Sequence, residues 1–221
     1  MREPGYWIYE AVFTVKECDA ILATLSNEGD RRHRAGIRNL MSNLTIRKIA
    51  DDRRLLAICR EIAGHKLIPY KATLFEKTGK ANWLVAFHQD TALPIEEFRW
   101  AEGWGSPSMK AGVKFAHAPT EVLRQILSVR IQLDDSTSDN GPLRVVPGSQ
   151  HERLSDDDKF AEAVKDSAPI QCLTPRGGVI AMSPLILHAS SKSHSNAPRR
   201  VLHIEYAPSL DIAPGIRLAM A

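Results

Sequence analysis

Apolar positions in the first third of the chain recur at helical spacing, and from Tyr70 onward they fall into short, strand-like runs. Tyr6 to Phe13 reads as an opening strand. Thr14 then caps a helix, with Glu17 three residues on completing a capping box and Ile21, Leu22 and Leu25 forming its apolar stripe. A second helix fits Asp51 to Ala63, with Leu55, Leu56, Ile58 and Ile62 inward and Gly64 as its stop. Strands are expected at Tyr70–Glu76, Trp83–His88, Leu127–Leu133, Leu143–Val146, Gly178–Leu187 and Arg199–Ala207, with a short helical piece at Thr120–Gln125. Asp139-Asn140-Gly141 marks a turn, and 152–168 reads as a charged surface helix or loop. Residues 91–118 carry scattered Gly and Pro with Trp100 and Trp104 and little periodicity, so a long lid-like insertion is expected there. The pattern predicts an all-β core braced by N-terminal helices.

Three residues stand out chemically. His88 and Asp90 lie two apart in WLVAFHQDTAL, a spacing that sends both side chains to one face of a strand. His188 ends the apolar run GGVIAMSPLILHASS and would complete two imidazoles and a carboxylate, the set that holds non-haem Fe(II) with open positions. Pairing of the runs at 178–187 and 199–207 would return Arg199 to the side of His188, as a fork for the far carboxylate of a dicarboxylate co-substrate. Taken alone, the pattern leaves a metal site and a set of satisfied core histidines both open. His203 reads as a satisfied buried residue, and His33, His65, His117, His151 and His194 have no partner at ligand spacing.

The segments FHQD (87–90), SVRIQLDDSTSDNGPLRVVPGSQH (128–151) and GGVIAMSPLILHASSKSHSNAPRRVLHIEYA (177–207) together resemble the phytanoyl-CoA dioxygenase family of Fe(II)/2-oxoglutarate oxygenases. The resemblance implies a double-stranded β-helix, or cupin-like jelly-roll, as one domain over residues 1–221. It makes His88, Asp90 and His188 the iron ligands. Arg199 matches the family's co-substrate arginine, Ser190 a serine that often assists it, and Arg200 is the fallback if the register slips by one. Fe(II), 2-oxoglutarate and O₂ are then expected, with release of succinate and CO₂ and hydroxylation as the commonest outcome. The carboxylate of Asp90 argues against halogenation, because related halogenases leave that position to halide.

Composition narrows the partners. The sequence has 29 Lys plus Arg against 26 Asp plus Glu, a net charge of +3 that is too mild to argue for nucleic acid or a membrane surface. No apolar stretch approaches a bilayer span, and Met-Arg-Glu-Pro does not read as a signal peptide. Cys18, Cys59 and Cys172 are odd in number and far apart, as in a reduced cytoplasmic protein. A small-molecule substrate is therefore expected, and the oligomeric state is not legible.

Substrate contacts are harder to place. Arg38 reads equally as an anion-binding arginine at a pocket mouth or as part of a solvated basic loop, and the loop is favoured for Arg31, Arg32 and Arg34. Arg130 and Gln132 share a strand face and either point into the barrel toward co-substrate or substrate, which makes Arg130 a substrate-contact candidate, or satisfy one another and Asp134. Trp83 and Phe87 read as core, and Trp100 and Trp104 as pocket candidates in the lid; Lys77 and Asn82 flank a turn and read either as helpers in holding the co-substrate or as simply exposed. The chain is short for a peroxisomal acyl-CoA hydroxylase and ends in Leu218-Ala219-Met220-Ala221, which favours a free polar or carboxylated metabolite over an acyl-CoA. The alternatives are desaturation, cyclisation or epimerisation at the same iron, and a non-catalytic cupin-like metal-binding module.

Overall fold

The structure, a computed structural model, describes residues 4–26, 32–33, 36–78 and 81–221. Its strands and helices run β1 (Tyr6–Tyr9), α1 (Val15–Ser26), β2 (Arg32–His33), β3 (Gly36–Ile37), α2 (Leu44–Ala50), α3 (Arg53–Ala63), β4 (Ile68–Lys77), β5 (Val85–His88), β6 (Ala92–Phe98), β7 (Ser108–Lys110) and β8 (Val113–His117). They continue α4 (Thr120–Leu123), β9 (Leu127–Gln132), β10 (Leu143–Val145), α5 (Asp157–Asp166), β11 (Ile170–Cys172), β12 (Val179–Met182), β13 (His188–Ser190), β14 (Arg199–Ala207), β15 (Asp211–Ala213) and β16 (Ile216–Leu218).

The helix signals act where the sequence puts them. Thr14 Oγ1 accepts from the Glu17 amide at 3.2 Å while Glu17 Oε2 accepts from the Thr14 amide at 2.7 Å, the reciprocal capping box. Asp52 caps α3, and Gly64 ends it at φ 78°, a left-handed turn that glycine enters without Cβ strain. Ile21, Leu25, Leu55, Ile58 and Ile62 seal against Val129, Ile131, Leu202 and Ile204 in one core cluster. That apolar layer braces one face of a seven-stranded antiparallel sheet ordered β1-β12-β9-β14-β4-β3-β2. A four-stranded sheet, β11-β10-β13-β5, packs against it through Leu143, Val145, Cys172, Ile180 and Met182. Among the described residues no strand pair joins these sheets into a closed barrel.

Three local expectations are corrected. The run Gly178–Leu187 is not one strand: after Met182 the chain breaks at Ser183-Pro184, so β12 stays in the larger sheet and β13 joins the smaller one. Proline cannot donate to a ladder, and the sequence alone shows only a continuous apolar run there. Consequently β14 pairs with β4 and β9 rather than with the His188 strand. Residues 91–118 form no structureless lid: β6, β7 and β8 pair with β15 and β16 in a third antiparallel sheet, ordered β15-β16-β6-β8-β7. Leu93, Ile95, Ala116, Leu123, Ile216 and Leu218 give that sheet its own core. The basic stretch also contains β2 and β3, with β3 paired to β4; Arg31, Arg34 and Ala35 lie outside the described residues.

Candidate metal centre

The smaller sheet sets His88 directly opposite His188 on neighbouring strands. Cross-strand partners of this kind hold their Cβ atoms about 5 Å apart, and here the ring centroids lie 4.2 Å apart. Asp90 follows just past the end of β5. Its Oδ1 lies 3.7 Å from His88 Nε2 and its Oδ2 3.5 Å from His188 Nε2, longer than good hydrogen bonds. One ligand atom from each of the three falls within 4.8 Å of the others.

Backbone carbonyls fix which nitrogens face inward. His88 Nδ1 lies 2.9 Å from Ala86 O, and His188 Nδ1 lies 2.8 Å from Ile186 O. A carbonyl only accepts, so each Nδ1 carries the proton and each Nε2 presents a lone pair to the centre. Burial lowers the His188 pKa to about 4, which keeps the ring in the neutral, ligating form. Burial would raise the Asp90 carboxyl, but His188, His203, His88 and Lys71 outweigh it and hold it below its ordinary range.

The crossover at Pro184 serves the centre as well as the topology. Asp90 N donates to Pro184 O at 2.9 Å, and Gln89 Nε2 donates to Leu185 O at 2.6 Å and to Glu152 O at 2.9 Å. Gln89 Oε1 accepts from Leu154 N at 2.8 Å, so the buried amide between the two ligands is bonded on both sides. Gln89 is a positioning residue that the sequence reading missed; its one signal was its place inside FHQD.

Two cavities meet at His88 and Asp90, sharing Arg38 and Phe75 as well, and His188 lines the inner one. The inner one, about 210 Å³, runs between the sheets past Trp83 and Arg130 to Lys77, Ser190 and Arg199. Arg199 Nη2 donates to Ser190 Oγ at 3.4 Å and its Nε to Asn140 O at 3.3 Å. Lys77, paired with Arg199 across β4 and β14, donates to Ser190 Oγ at 2.7 Å and to Ser191 O. Ser190 Oγ donates in turn to Gly141 O at 2.8 Å. The turn holding Gly141 can approach because a Cβ there would stand 2.4 Å from Ser191 O. Burial, with Arg199, Arg130 and Arg144 near it, lowers the Lys77 pKa to about 7. Burial, reinforced by Arg130, lowers that of Arg199 to about 9. Arg130 Nη1 donates to His203 Nδ1 at 3.1 Å, while its buried Nε has no partner among the described residues.

The outer cavity, about 370 Å³, opens on the other side of the ligands and is lined by Arg38, Thr73, Phe75, Lys110 and His117 among others. Lys71 lines it too, committed to Glu205 at 2.7 Å. A β-bulge in β4 lets Tyr70 reach the same carboxylate at 2.6 Å.

The structure thus brings His88, Asp90, His188, Ser190, Arg199, Arg130 and Arg38 to one connected space, though Arg199 arrives across the sheets and not through the strand pairing expected from sequence. Arg200 points the other way, its guanidinium bidentate to Asp134 at 2.7 Å on each arm. His203 is a satisfied core residue, its Nε2 3.4 Å from Glu205. Trp104, expected at the pocket, instead packs edge-on against Phe98, 6.2 Å between centroids, beside the core of the third sheet. Trp83, expected in the core, walls the inner cavity. Aromatic residues between turn signals do not reveal which side of a sheet they reach.

Comparison with known proteins fits this arrangement. The model of the phytanoyl-CoA dioxygenase (PhyH) family matches residues 1–201. The chain belongs to that family. A curated relative, L-proline trans-4-hydroxylase of Streptomyces griseoviridis, is 26% identical over 178 residues, covering 69% of this chain and 59% of its own; the chain thus spans less than two thirds of that relative's length. Among solved structures, EctD of S. alaskensis in its apoform superposes with TM-score 0.69 at 19% identity, over 92% of this chain and 73% of EctD. The carbocyclase SnoK from nogalamycin biosynthesis superposes with TM-score 0.72 at 17% identity, over 93% and 80%. EctD of S. alaskensis has also been solved with bound Fe and with 2-oxoglutarate and 5-hydroxyectoine. The donor set fits such an ion: two imidazoles, one carboxylate and no thiolate. No helix among the described residues is long and apolar enough to cross a membrane.

Proposed function

We propose that the protein is an Fe(II)- and 2-oxoglutarate-dependent dioxygenase that hydroxylates a small metabolite. The observation that carries this reading is the convergence of His88, Asp90 and His188 where two cavities meet, one of them ending in buried cations. His88 Nε2, His188 Nε2 and the Asp90 carboxylate hold the ferrous ion. When bound, the iron supplies the oxidative chemistry, coupling O₂ and decarboxylation of 2-oxoglutarate to oxidation of a substrate C–H bond, with succinate and CO₂ released.

The chain's own residues bind, orient and exclude water. Arg199, steadied by Asn140 O and Ser190 Oγ, offers a guanidinium to the far carboxylate of 2-oxoglutarate. Lys77 joins Arg199 at that carboxylate, Ser190 Oγ steadies both cations by accepting from each, and Arg130 lines the same cavity. The walls are apolar, from Phe75, Trp83, Val85 and Leu143, so each ionic contact acts with little solvent around it. The substrate enters by the outer cavity. At about 370 Å³ that space sits at the low end for ligand pockets and suits a free metabolite better than a CoA thioester.

Hydroxylation is favoured by the hydroxylase relative, and the Asp90 carboxylate opposes halogenation. Cyclisation, epimerisation or desaturation would use the same ligands with a different substrate pose. Anaerobic titration tests the reading. Adding Fe(II) and then 2-oxoglutarate should raise a weak visible charge-transfer band, and His188→Ala should abolish both iron retention and succinate release. Tight metal binding with no band would make the protein a metal-holding module.

A further inference from the structure

The described chain has two non-glycine residues with left-handed backbone, Asn39 at φ 58° and Ala111 at φ 50°. They are joined to each other: Asn39 Nδ2 donates to Ala111 O at 3.1 Å, across 72 residues of sequence. Left-handed backbone costs an ordinary residue roughly 1–2 kcal/mol and tends to collect at functional positions. Asn39 directly follows Arg38 at the end of β3, and Ala111 directly follows Lys110 at the tip of the β7–β8 hairpin. Arg38 and Lys110 both line the outer cavity. The strained contact therefore joins the two segments that carry its exposed cations.

The charge of that cavity is one-sided. Its lining holds the cations Arg38, Lys71 and Lys110, with His117 pushed toward its neutral form by burial, Arg153 and Lys110, and among the described residues its one carboxylate is Asp90, a proposed iron ligand. Lys71 is spent on Glu205. Phe115 lies between cations, its ring 5.7 Å from both Lys71 Nζ and Lys110 Nζ, and adds an apolar surface. Among the described residues, no acidic group in the lining would greet a substrate amine apart from the iron ligand itself.

We infer that the outer cavity selects substrates carrying a carboxylate, gripped by Arg38 and Lys110, with the Asn39–Ala111 hydrogen bond holding the two cations at one spacing. The inference rests on the oxygenase reading of the centre. It assigns Arg38 and Lys110 the choice of substrate, and Asn39 and Ala111 the positioning of both.

The test uses the anaerobic enzyme loaded with Fe(II) and 2-oxoglutarate, and follows its visible band while free carboxylic acids (amino acids, hydroxy acids and aromatic acids) and their primary amides are added. Acids should perturb the band and stimulate succinate release in air, and the matched amides should do neither. Arg38→Gln and Lys110→Gln should each weaken binding of a responding acid roughly five-fold, as expected for one exposed ionic contact, with Lys110→Arg restoring it. Persistence of the band in each variant shows that the fold and inner site are intact. Amides that act as well as their acids, an absence of response to every acid, or variants that bind acids normally would overturn the assignment. Failure of the band to form at all would remove the oxygenase reading beneath it.

Discussion

The two ends of the connected cavity are built in opposite ways. At the inner end, Arg199 is 5% exposed and Lys77 2%, and their donors are met by Ser190 Oγ and the carbonyls of Asn140, Ser190 and Ser191. At the mouth, Arg38 and Lys110 are exposed, and the segments bearing them are joined by a hydrogen bond between two strained residues. A buried cation held by several fixed oxygens reads one anion in one orientation, and changing it is costly. An exposed cation on a hairpin tip contributes less and can change without harm to the sheets. The contrast suits a constant co-substrate inside and a substrate-specific contact outside.

The sharpest way to break that contrast is at the inner end. Arg199→Ala should weaken 2-oxoglutarate binding by about a hundred-fold or more, since truncating one partner of a buried charge pair costs about 2–5 kcal/mol. Iron should stay, because no ligand is lost. The neighbouring Arg200→Ala is the control. It breaks an ion pair with Asp134 whose members are 28% and 15% exposed, so it should cost about 1 kcal/mol of stability and leave co-substrate affinity alone. Calorimetric titration of both variants decides the matter, and weakened binding in Arg200→Ala with none in Arg199→Ala would exchange their roles.

Lys77 sharpens the comparison through pH. Its folded pKa, about 7, lies below the ordinary 10.5 because burial disfavours the ammonium. Between those values the unfolded chain binds the proton and the folded chain does not, so this residue makes stability rise with pH from about 7 to 10.5. Below 7 both states are charged and the burial penalty is full. Lys77→Met should therefore stabilise the co-substrate-free protein by up to a few kcal/mol near pH 7 and by little near pH 10. Urea unfolding at both pH values would show it, and an equal effect at both would mean that Lys77 is not buried as a neutral amine. The same variant should weaken 2-oxoglutarate binding, most at acid pH where the ammonium is present.

How much of this could be read in advance depended on distance along the chain. The capping box at Thr14 and the αL stop at Gly64 are local, and they act as the sequence spells them. The H-x-D spacing is also local, though Asp90 reaches the centre just beyond the strand end. The distant pairings were not legible. A strand break at Pro184 looks like an apolar run, yet it moves His188 into the second sheet and lends Pro184 O and Leu185 O to the segment that carries Asp90. Arg199 still reaches the inner cavity, by pairing with Lys77 rather than returning beside His188, and the alternation along β14 turns Arg200 to Asp134 instead. Residues 91–118 read as a lid because short, charged strands separated by glycine-bearing connections lack a clear period, although β6 and β8 pair over four residues.

The mildest test concerns the mouth. Ala111 holds φ 50° with a Cβ that penalises it, while glycine takes that conformation freely. Ala111→Gly should relieve the strain and raise stability by up to about 1 kcal/mol, despite the extra freedom glycine brings to the unfolded chain. Asn39→Ala should do the opposite, because it loses the bond to Ala111 O and puts a less tolerant residue at φ 58°. If the strained pair serves only the hairpin's own folding, acid binding follows stability and the glycine variant binds as well as the parent or better. If it sets the spacing of Arg38 and Lys110, the more stable glycine variant binds acids more weakly, because a freer hairpin tip no longer holds Lys110 in place. Opposite signs for stability and substrate affinity in one variant would separate a positioning contact from a merely structural one. The inner end, where buried cations rest on fixed oxygens, should show no such split.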